Sequence, residues 1–437
     1  MKPYELELLD IGTIKPNPRN ARTHSKRQLK QIVTSMKAFG FTNPVLIDER
    51  NVLIAGHGRL EAAGTLGIAK IPSIRITHLS DAEKRTLMLA DNKIALNAGW
   101  DNELLASELA DLSKMELSLD IELTGFEIGE IDLIIGDVDE VKEEAETAPE
   151  PNPDALIITK RGDLWQLGDH KIFCGDARNP DDMKLLMGEE KADVGFTDPP
   201  YNVKINGNVS GAGQIKHREF IEASGEMSSE AFTAFLSEAL NLGATYSQPG
   251  AVWFACMDWR HIGEMLEAGK TAFDAFLNLC VWSKTNGGMG SLYRSQHELV
   301  FVFRKGSKTH RNNVQLGRFG RNRTNVWQYA GVNTFREGRM EELKAHPTAK
   351  PVAMIKDALL DVSKRGDIVL DPFMGGGATL IAAERSGRKA RGLEIDPAYV
   401  DVILRRWRTE TGMEPIRAGD CKTLTQLETA QLTEVMS

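Results

Sequence analysis

The stretch "LDPFMGGGATLIAAERSGRKARGLEID" (370–396) constrains the fold most. It reads as a strand ("DIVLDPF", 367–373), a glycine turn, a helix and a second strand ("KARGLEID", 389–396). So short a strand–turn–helix–strand unit is the signature of α/β layers around a largely parallel sheet. In such sheets ligands bind beyond the C-terminal ends of the strands, where glycines let the backbone come close. Glu394, 17 residues after Gly377 (394 − 377), is spaced to accept hydrogen bonds from both hydroxyls of a ribose. A tight strand-to-helix turn without a ligand is the plainer alternative. A pyrophosphate site would want a third glycine where Leu380 stands, which weakens a nicotinamide dehydrogenase. A ligand with adenosine and no pyrophosphate, such as S-adenosylmethionine, fits better, with Phe373 packed against it as the loop turns.

The 437 residues suffice for two or three domains, and they divide at an acidic run. Between Asp132 and Asp154 lie nine acidic residues, one lysine and prolines at 149, 151 and 153, a composition that cannot bury apolar surface. The expected domains are 1–136, a linker 137–155, and 156–437. In the last, "ADVGFT" (192–197), "GAVWFACM" (250–257) and "ELVFVFRK" (298–305) read as strands, and "SSEAFTAFLSEALNLG" (228–243) as a helix ending before Gly243. Cys174, Cys256, Cys280 and Cys421 form no Cys-x-x-Cys pair, which argues against zinc and a disulfide framework and fits a reducing cytoplasm. Neither a secretory signal nor an apolar run long enough for a bilayer is expected. The net charge of −9 is unevenly spread: "RKGSKTHRNNVQLGRFGRNR" (304–323) has no acid. Its Lys305, Lys308, Arg311, Arg318, Arg321 and Arg323 are candidates for DNA phosphate contacts, against the plainer reading of a solvated loop.

"TDPPYN" (197–202) follows the first of those strands. Proline presets φ and pushes the residue before it out of the α region, so Asp198-Pro199-Pro200 is a rigid turn. Tyr201 adds a flat face on which a base could stack. An exocyclic amine on a base is a weak nucleophile, because its lone pair is delocalised into the ring. Acceptors on both N–H groups favour the pyramidal form; the Asp198 carboxylate and the Pro199 carbonyl could supply them. A base reaches such a pocket only when flipped out of the duplex. No metal is needed, since a sulfonium already activates its methyl group.

Residues 160–420 resemble the amino-methylating DNA methyltransferases, the adenine-N6 and cytosine-N4 enzymes. Asp198-Pro199-Pro200-Tyr201 is similar to their catalytic motif, and Phe373-x-Gly375-x-Gly377 to their cofactor loop. "HPTAKP" (346–351), with Thr348 and Lys350, resembles the stretch beside the cofactor's methionine end, and "CGDAR" (174–178), with Asp176, the segment near its adenine. "VWSKTNGGMG…RSQHELVFVFRKG" (281–306) and "NVWQY" (325–329) follow the same pattern. The resemblance implies a Rossmann-like α/β methyltransferase sheet with helices on both faces, and S-adenosylmethionine held by Asp176, Thr348, Lys350, Asp371, Phe373, Gly375, Gly377 and Glu394. The catalytic motif precedes the glycine loop by 175 residues (373 − 198), the permuted order of the β class, whose recognition region lies between, here about 204–345. The glycines of "KINGNVSGAGQIKHREF" (204–220) suggest a loop over DNA or a plain surface loop. Asp in the first motif position is more typical of adenine-N6 enzymes; Asp198 and the permuted order count against protein-glutamine methyltransferases.

Residues 14–76 are similar to ParB/sulfiredoxin-like domains, a small α+β fold, through Asn17-Pro18-Arg19-Asn20 and Gly56-His57-Gly58-Arg59. Gly56, Gly58 and Arg59, a glycine turn opening a helix, are a candidate nucleotide or DNA-backbone site. Gly58 replaces an Arg or Glu of the family's nucleotide signature, which counts against nucleotide hydrolysis. Residues 89–112 read as a helical continuation whose leucines belong to a core. The leading expectation is a bacterial or phage-encoded, cytoplasmic, site-specific adenine methyltransferase of the restriction-modification type. It acts on double-stranded DNA, with room for a homodimer and no membrane role. Cytosine-N4 methylation is one alternative. A ParB-type DNA-binding or nucleotide-switch regulator carrying an inactive methylase fold is another.

Overall fold

The computed structural model describes residues 4–115, 120–138, 151, 156–203, 223, 225–285, 287, 292–314, 321–329 and 350–436. Most of the acidic linker, the 204–220 loop, residues 346–349 with Thr348, and Arg318 lie outside the described residues, as do residues 330–345 of the span 204–345. The chain forms two compact units, Met1–Val138 and Asp139–Ser437.

The first unit holds β1 (Leu6–Asp10), α1 (Lys26–Phe39), β2 (Val45–Ile47), β3 (Leu53–Ala55), α2 (His57–Thr65), β4 (Lys70–Arg75), α3 (Asp81–Asn97), α4 (Asn102–Lys114) and α5 (Ile128–Val138). Its four strands form one mixed sheet in the order β1-β4-β2-β3. Val45, Ile47, Leu53 and Ile71 fill the core beneath it, and Leu109, Ile128, Ile131 and Ile135 join α4 to α5. Ser80 and Glu83 close a capping box on α3. Two expectations are corrected. The helical continuation is two helices, broken at Ala98 to Asp101, and of its leucines Leu109 is buried whereas Leu89, Leu96 and Leu104 are exposed. Asp137, read as the first residue of the linker, belongs to α5, whose isoleucines supply the apolar stripe the acidic run lacks.

The second unit holds β5 (Leu164–Leu167), β6 (His170–Cys174), α6 (Pro180–Met187), β7 (Ala192–Thr197), α7 (Ser229–Thr245), β8 (Ser247–Met257), α8 (Ile262–Ala272), β9 (Ala275–Ser283), β10 (His297–Arg304), β11 (Val326–Gln328), α9 (Val352–Val362), β12 (Ile368–Asp371), α10 (Ala378–Ser386), β13 (Lys389–Glu394), α11 (Pro397–Thr411), β14 (Ile416–Arg417) and α12 (Leu424–Met436). Its ten strands run β11-β9-β10-β8-β7-β12-β13-β6-β5-β14 in one sheet. The centre, β8-β7-β12-β13-β6, is parallel, and β10 is antiparallel to β8 and β9. Two apolar clusters form the core. One joins alternate strand residues such as Val194, Val252 and Val369 to α9, α10 and α11; the other joins Ala255, Leu370 and Leu393 to α6, α7 and α8. This is the expected Rossmann-like sheet with helices on both faces.

Gly243 does not end its helix. Helix α7 continues to Thr245, and Gly243 is buried inside it. The reason is Trp253 on β8, whose indole fills the space between α7 and the sheet and donates to Ser247 Oγ at 2.9 Å. A Cβ at Gly243 would stand 2.4 Å from that ring, and one at Gly195 on β7 2.1 Å. Gly243→Ala is therefore expected to destabilise the unit by ~1–3 kcal/mol through overpacking, despite alanine's better helix propensity. Urea unfolding checks the sign.

Candidate active site

β7 is largely buried because it lies mid-sheet, and it delivers Asp198 at its C-terminal end. The turn that follows is braced by Asn202 in the left-handed region at φ 52°. Its side-chain oxygen accepts from Gly225 N at 3.0 Å and Met227 N at 3.2 Å, and its amide donates to Met227 O at 2.9 Å. Asn202 ties both ends of the long insertion together. Asparagine tolerates that φ better than most residues.

Asp198 sits in a network of alternating charge. Lys350 Nζ donates to Asp198 Oδ2 at 2.7 Å and lies 3.0 Å from Glu298 Oε2. Tyr201 OH lies 2.8 Å from Asp198 Oδ1 and 3.0 Å from Glu298 Oε2, so its one proton serves two carboxylates. Lys284 pairs with the other oxygen of Glu298. Lys350 Nζ also stands 5.1 Å from the centroid of the Tyr201 ring. Two carboxylates and two ammonium groups thus balance, with Lys350 at 4% exposure. Burial pushes the Asp198 carboxyl up from its ordinary value and the Lys350 charge opposes it, while Glu298 adds to the rise. Burial would raise Glu298 as well, but Lys350 and Lys284 win and hold it at about 2. Burial lowers Lys350 and its two carboxylates more than reverse that, so it stays charged.

Glu298, at the start of β10, was not singled out from the sequence. A glutamate opening a strand of alternating apolar residues reads as solvated, and only the antiparallel return of β10 beside β8 brings it to the catalytic end. Lys350 was assigned to the cofactor's methionine end; its amine is here the direct partner of Asp198.

One strand over, β12 ends at Asp371. Asp371 is turned inward: its carboxylate accepts from Thr379 Oγ1 at 2.6 Å and Phe373 N at 3.0 Å, bracing the glycine turn. Burial pushes it up to about 7. Gly375 and Gly377 take φ 51° and 80°, which favours glycine, and Gly377 opens α10. A Cβ at Gly375 would meet nothing within 4 Å, so the turn faces open space. Glu394, at the end of β13, accepts from Gly375 N at 2.8 Å and Asp396 N at 2.9 Å. Burial pushes its carboxyl up to about 7, opposed by those two backbone donors. Such a carboxylate, desolvated beside an open glycine turn, suits the two hydroxyl donors of a ribose. Phe373 lies in the same loop, its ring 5.8 Å from that of Phe235. Asp176 follows β6 and pairs with Arg178 at 3.0 Å, which outweighs its burial and lowers its carboxyl.

Residues 192–405 match the DNA methylase family of the N6/N4 type, residues 2–93 the ParB N-terminal domain, and residues 103–161 the ParB-methyltransferase HTH domain. The chain carries an N6/N4 DNA methylase domain and a ParB-type N-terminal domain. It is 50% identical over 75 residues to the ParB-like nuclease domain-containing protein YnaK of Escherichia coli, covering 17% of this chain and 86% of that protein. It is 26% identical over 259 residues to the type II methyltransferase M.HpaI of Haemophilus parainfluenzae, covering 55% and 75%. A DNA modification methylase of Thermus thermophilus solved with S-adenosyl-L-methionine shares 24% identity at a TM-score of 0.38, covering 56% of this chain and 96% of that one. The HTH match covers α4 and α5, of which the sequence reading of 89–112 took α4 for a plain helical continuation.

The described residues after β10 in the basic run lie away from Asp198. Because β10 runs against β7 and β8, its C-terminal end lies at the opposite edge of the sheet. There Lys305 N donates to Ala251 O at 2.9 Å, near the start of β8. Lys305 Nζ lies 3.7 Å from Asp274, Lys308 is exposed, and Arg311 lines a cavity of about 390 Å³ with His310 and Arg323. Arg321 and Arg323 do not face solvent as expected of phosphate contacts. Arg321, at 8% exposure, pairs with Asp361 at 2.7 Å, and Arg323 with Asp361, Asp357 and the Tyr329 hydroxyl. Their charge holds β11 to α9.

In the ParB-type domain Gly56 takes φ 98° as it opens α2. Gly58 is buried, and a Cβ there would stand 3.0 Å from His24 and Ile32. Arg59 folds back over the turn, with Nη2 3.4 Å from Pro44 O and a buried Nε that has no acceptor. The three candidates are together, at a helix N-terminus. Among the described residues no helix is long and apolar enough to cross a membrane.

Protonating Glu394 would remove a carboxylate acceptor from any ribose bound at this turn. With its carboxyl at about 7, affinity for S-adenosylmethionine is expected to fall about tenfold for each pH unit below that value and to level off above it. Glu394→Gln should bind weakly and show a flat profile. Calorimetry from pH ~6 to ~8.5 checks both.

Proposed function

We propose that the chain moves a methyl group from S-adenosylmethionine to the N6 amine of an adenine flipped out of duplex DNA. The observation that carries this reading is Asp198: a carboxylate at the C-terminal end of β7, bound by Lys350 at 2.7 Å, one strand from the glycine turn and two from Glu394. Glu394 and the turn between Gly375 and Gly377 hold the cofactor's ribose, and Phe373 packs beside it. The bound cofactor supplies an electrophilic methyl group on a sulfonium.

The chain's own residues prepare the amine. The target N–H groups donate to Asp198 and to the Pro199 carbonyl, which draws the nitrogen towards the pyramidal form. Lys350 keeps Asp198 ionised so that it accepts rather than donates. Pro199 and Pro200 fix the turn within the tolerance a near-attack geometry needs. After transfer the nitrogen carries a positive charge, and the excess proton leaves through Asp198 towards solvent. Tyr201, half-buried with its hydroxyl fixed by two carboxylates, offers its ring to the base. Asp at the first motif position favours adenine. In the ParB-type domain Gly56 and Arg59 contact nucleotide or DNA backbone, and the methylase acts as a monomer or a homodimer. The test is incubation of the full chain with labelled cofactor and mixed-sequence DNA, followed by digestion to nucleosides. Label in N6-methyladenine supports the reading; label in N4-methylcytosine moves it to the other base, and no label in DNA removes it.

A further inference from the structure

The connection between β9 and β10 carries the two most exposed large apolar side chains among the described residues, Leu292 at 83% and Tyr293 at 84%. Its place follows from strand direction. β9 runs parallel to β7, since β10 is antiparallel to both β9 and β8 and β8 is parallel to β7. The end of β9 and the start of β10 therefore stand at the same edge as Asp198. The stem is tied down on that edge. Lys284 N donates to Gln296 O at 2.9 Å, Gln296 Nε2 returns to Lys284 O at 2.9 Å, and Lys284 Nζ pairs with Glu298 of the catalytic network. Arg294 Nη2 donates to Gly287 O at 2.6 Å, closer to the tip. Residues 284 to 296 contain Lys284 and Arg294 and no acid. Apolar side chains held out in water on a basic stem, beside a base pocket, suit an apolar site within a polyanion.

We propose that Leu292 and Tyr293 are a wedge that enters the duplex and fills the gap left by the flipped base. This deepens the flipped-base reading above and rests on it. Extruding a base exposes the faces of its two neighbours and leaves its partner unpaired. Apolar wedges inserted between base steps are a recurring answer to that cost. The Tyr293 ring stacks on a neighbouring base and Leu292 fills the remaining depth, so the base is held out while Asp198 engages its amine. Lys305 and Lys308, at the other edge of the sheet, are not placed to do this.

The experiment uses the full chain and a duplex carrying the sequence found modified in DNA treated with the wild type. The target adenine faces either thymine or an abasic position. Leu292→Ala/Tyr293→Ala is expected to lose about tenfold or more in methylation rate on the paired duplex, and to come within about twofold of wild type on the abasic one, where no pair must open. Tyr293→Phe, which keeps the ring, should stay near wild type on both. Unchanged binding of S-adenosylmethionine shows that the variant is folded. An undiminished rate on the paired duplex overturns the wedge; so does an equal loss on both duplexes, which marks a general DNA contact. A wild type that labels neither duplex removes the methylation reading and, with it, the reason for a wedge.

Discussion

Asp198→Ala is expected to reduce methyl transfer to DNA by about 10³-fold or more while leaving S-adenosylmethionine affinity within about threefold of wild type. The split follows from the geometry. Glu394 and the glycine turn lie at the ends of other strands, and none of their hydrogen bonds passes through Asp198. What the substitution removes is the one carboxylate at the end of β7 and, with it, the acceptor that makes the amine nucleophilic. Asp198→Asn is the sharper variant. It keeps the shape and one acceptor oxygen, but its amide group can turn an N–H towards the ammonium of Lys350 or towards the target amine. A loss close to that of alanine would show that charge matters more than shape. A single-turnover assay with labelled cofactor reads the rate, and a binding isotherm on the same sample reads affinity. Loss of both together would place Asp198 in the fold rather than in the chemistry.

How much of this was legible in the sequence depended on whether a signal was local. β7, β12, α10 and β13 came through because each is a short element bounded by its own punctuation, and Asp198, Gly375, Gly377 and Glu394 sit at those boundaries. Features set by distant partners did not. Gly243 looked like a helix stop because glycine favours that place, but Trp253 ten residues on needs the missing side chain. The exposed leucines of α3 and α4 carry helical spacing without a core to face. Arg321 and Arg323 belong to a basic run by composition and to Asp357 and Asp361 by contact, a pairing some 35 residues away that no window reveals. The run's position was not legible for the same kind of reason. It follows a strand that begins at the catalytic edge, and sequence does not say that the strand runs away from it. Glu298 and the Leu292-Tyr293 tip stayed unnoticed until the direction of β10 was known.

Lys350→Met is expected to be the most destabilising single change in the methylase domain. Its amine, at 4% exposure, is the shared partner of Asp198 and Glu298. Replacing it by an apolar side chain leaves two carboxylates facing each other with only Lys284 to compensate. Breaking a buried pair from one side costs about 3–5 kcal/mol, because the stranded charge keeps its desolvation penalty. For a domain of this size that corresponds to a fall in Tm on the order of 10 °C. Adding Glu298→Gln removes one of the two stranded charges, so the double variant should recover part of the loss; a thermodynamic cycle measures how much. The same change moves the chemistry. Burial and Glu298 already push the Asp198 carboxyl up, and Lys350 is what opposes them. Without it the carboxyl rises further, and more of it is protonated, hence unable to accept, as pH falls. The acid limb of the rate profile should therefore shift to higher pH in Lys350→Met, with part of the lost rate returning in alkaline buffer. In the double variant, with Glu298 neutral, the limb should move back. A limb that stays in place in both would mean that Lys350 braces the turn without setting the charge of Asp198.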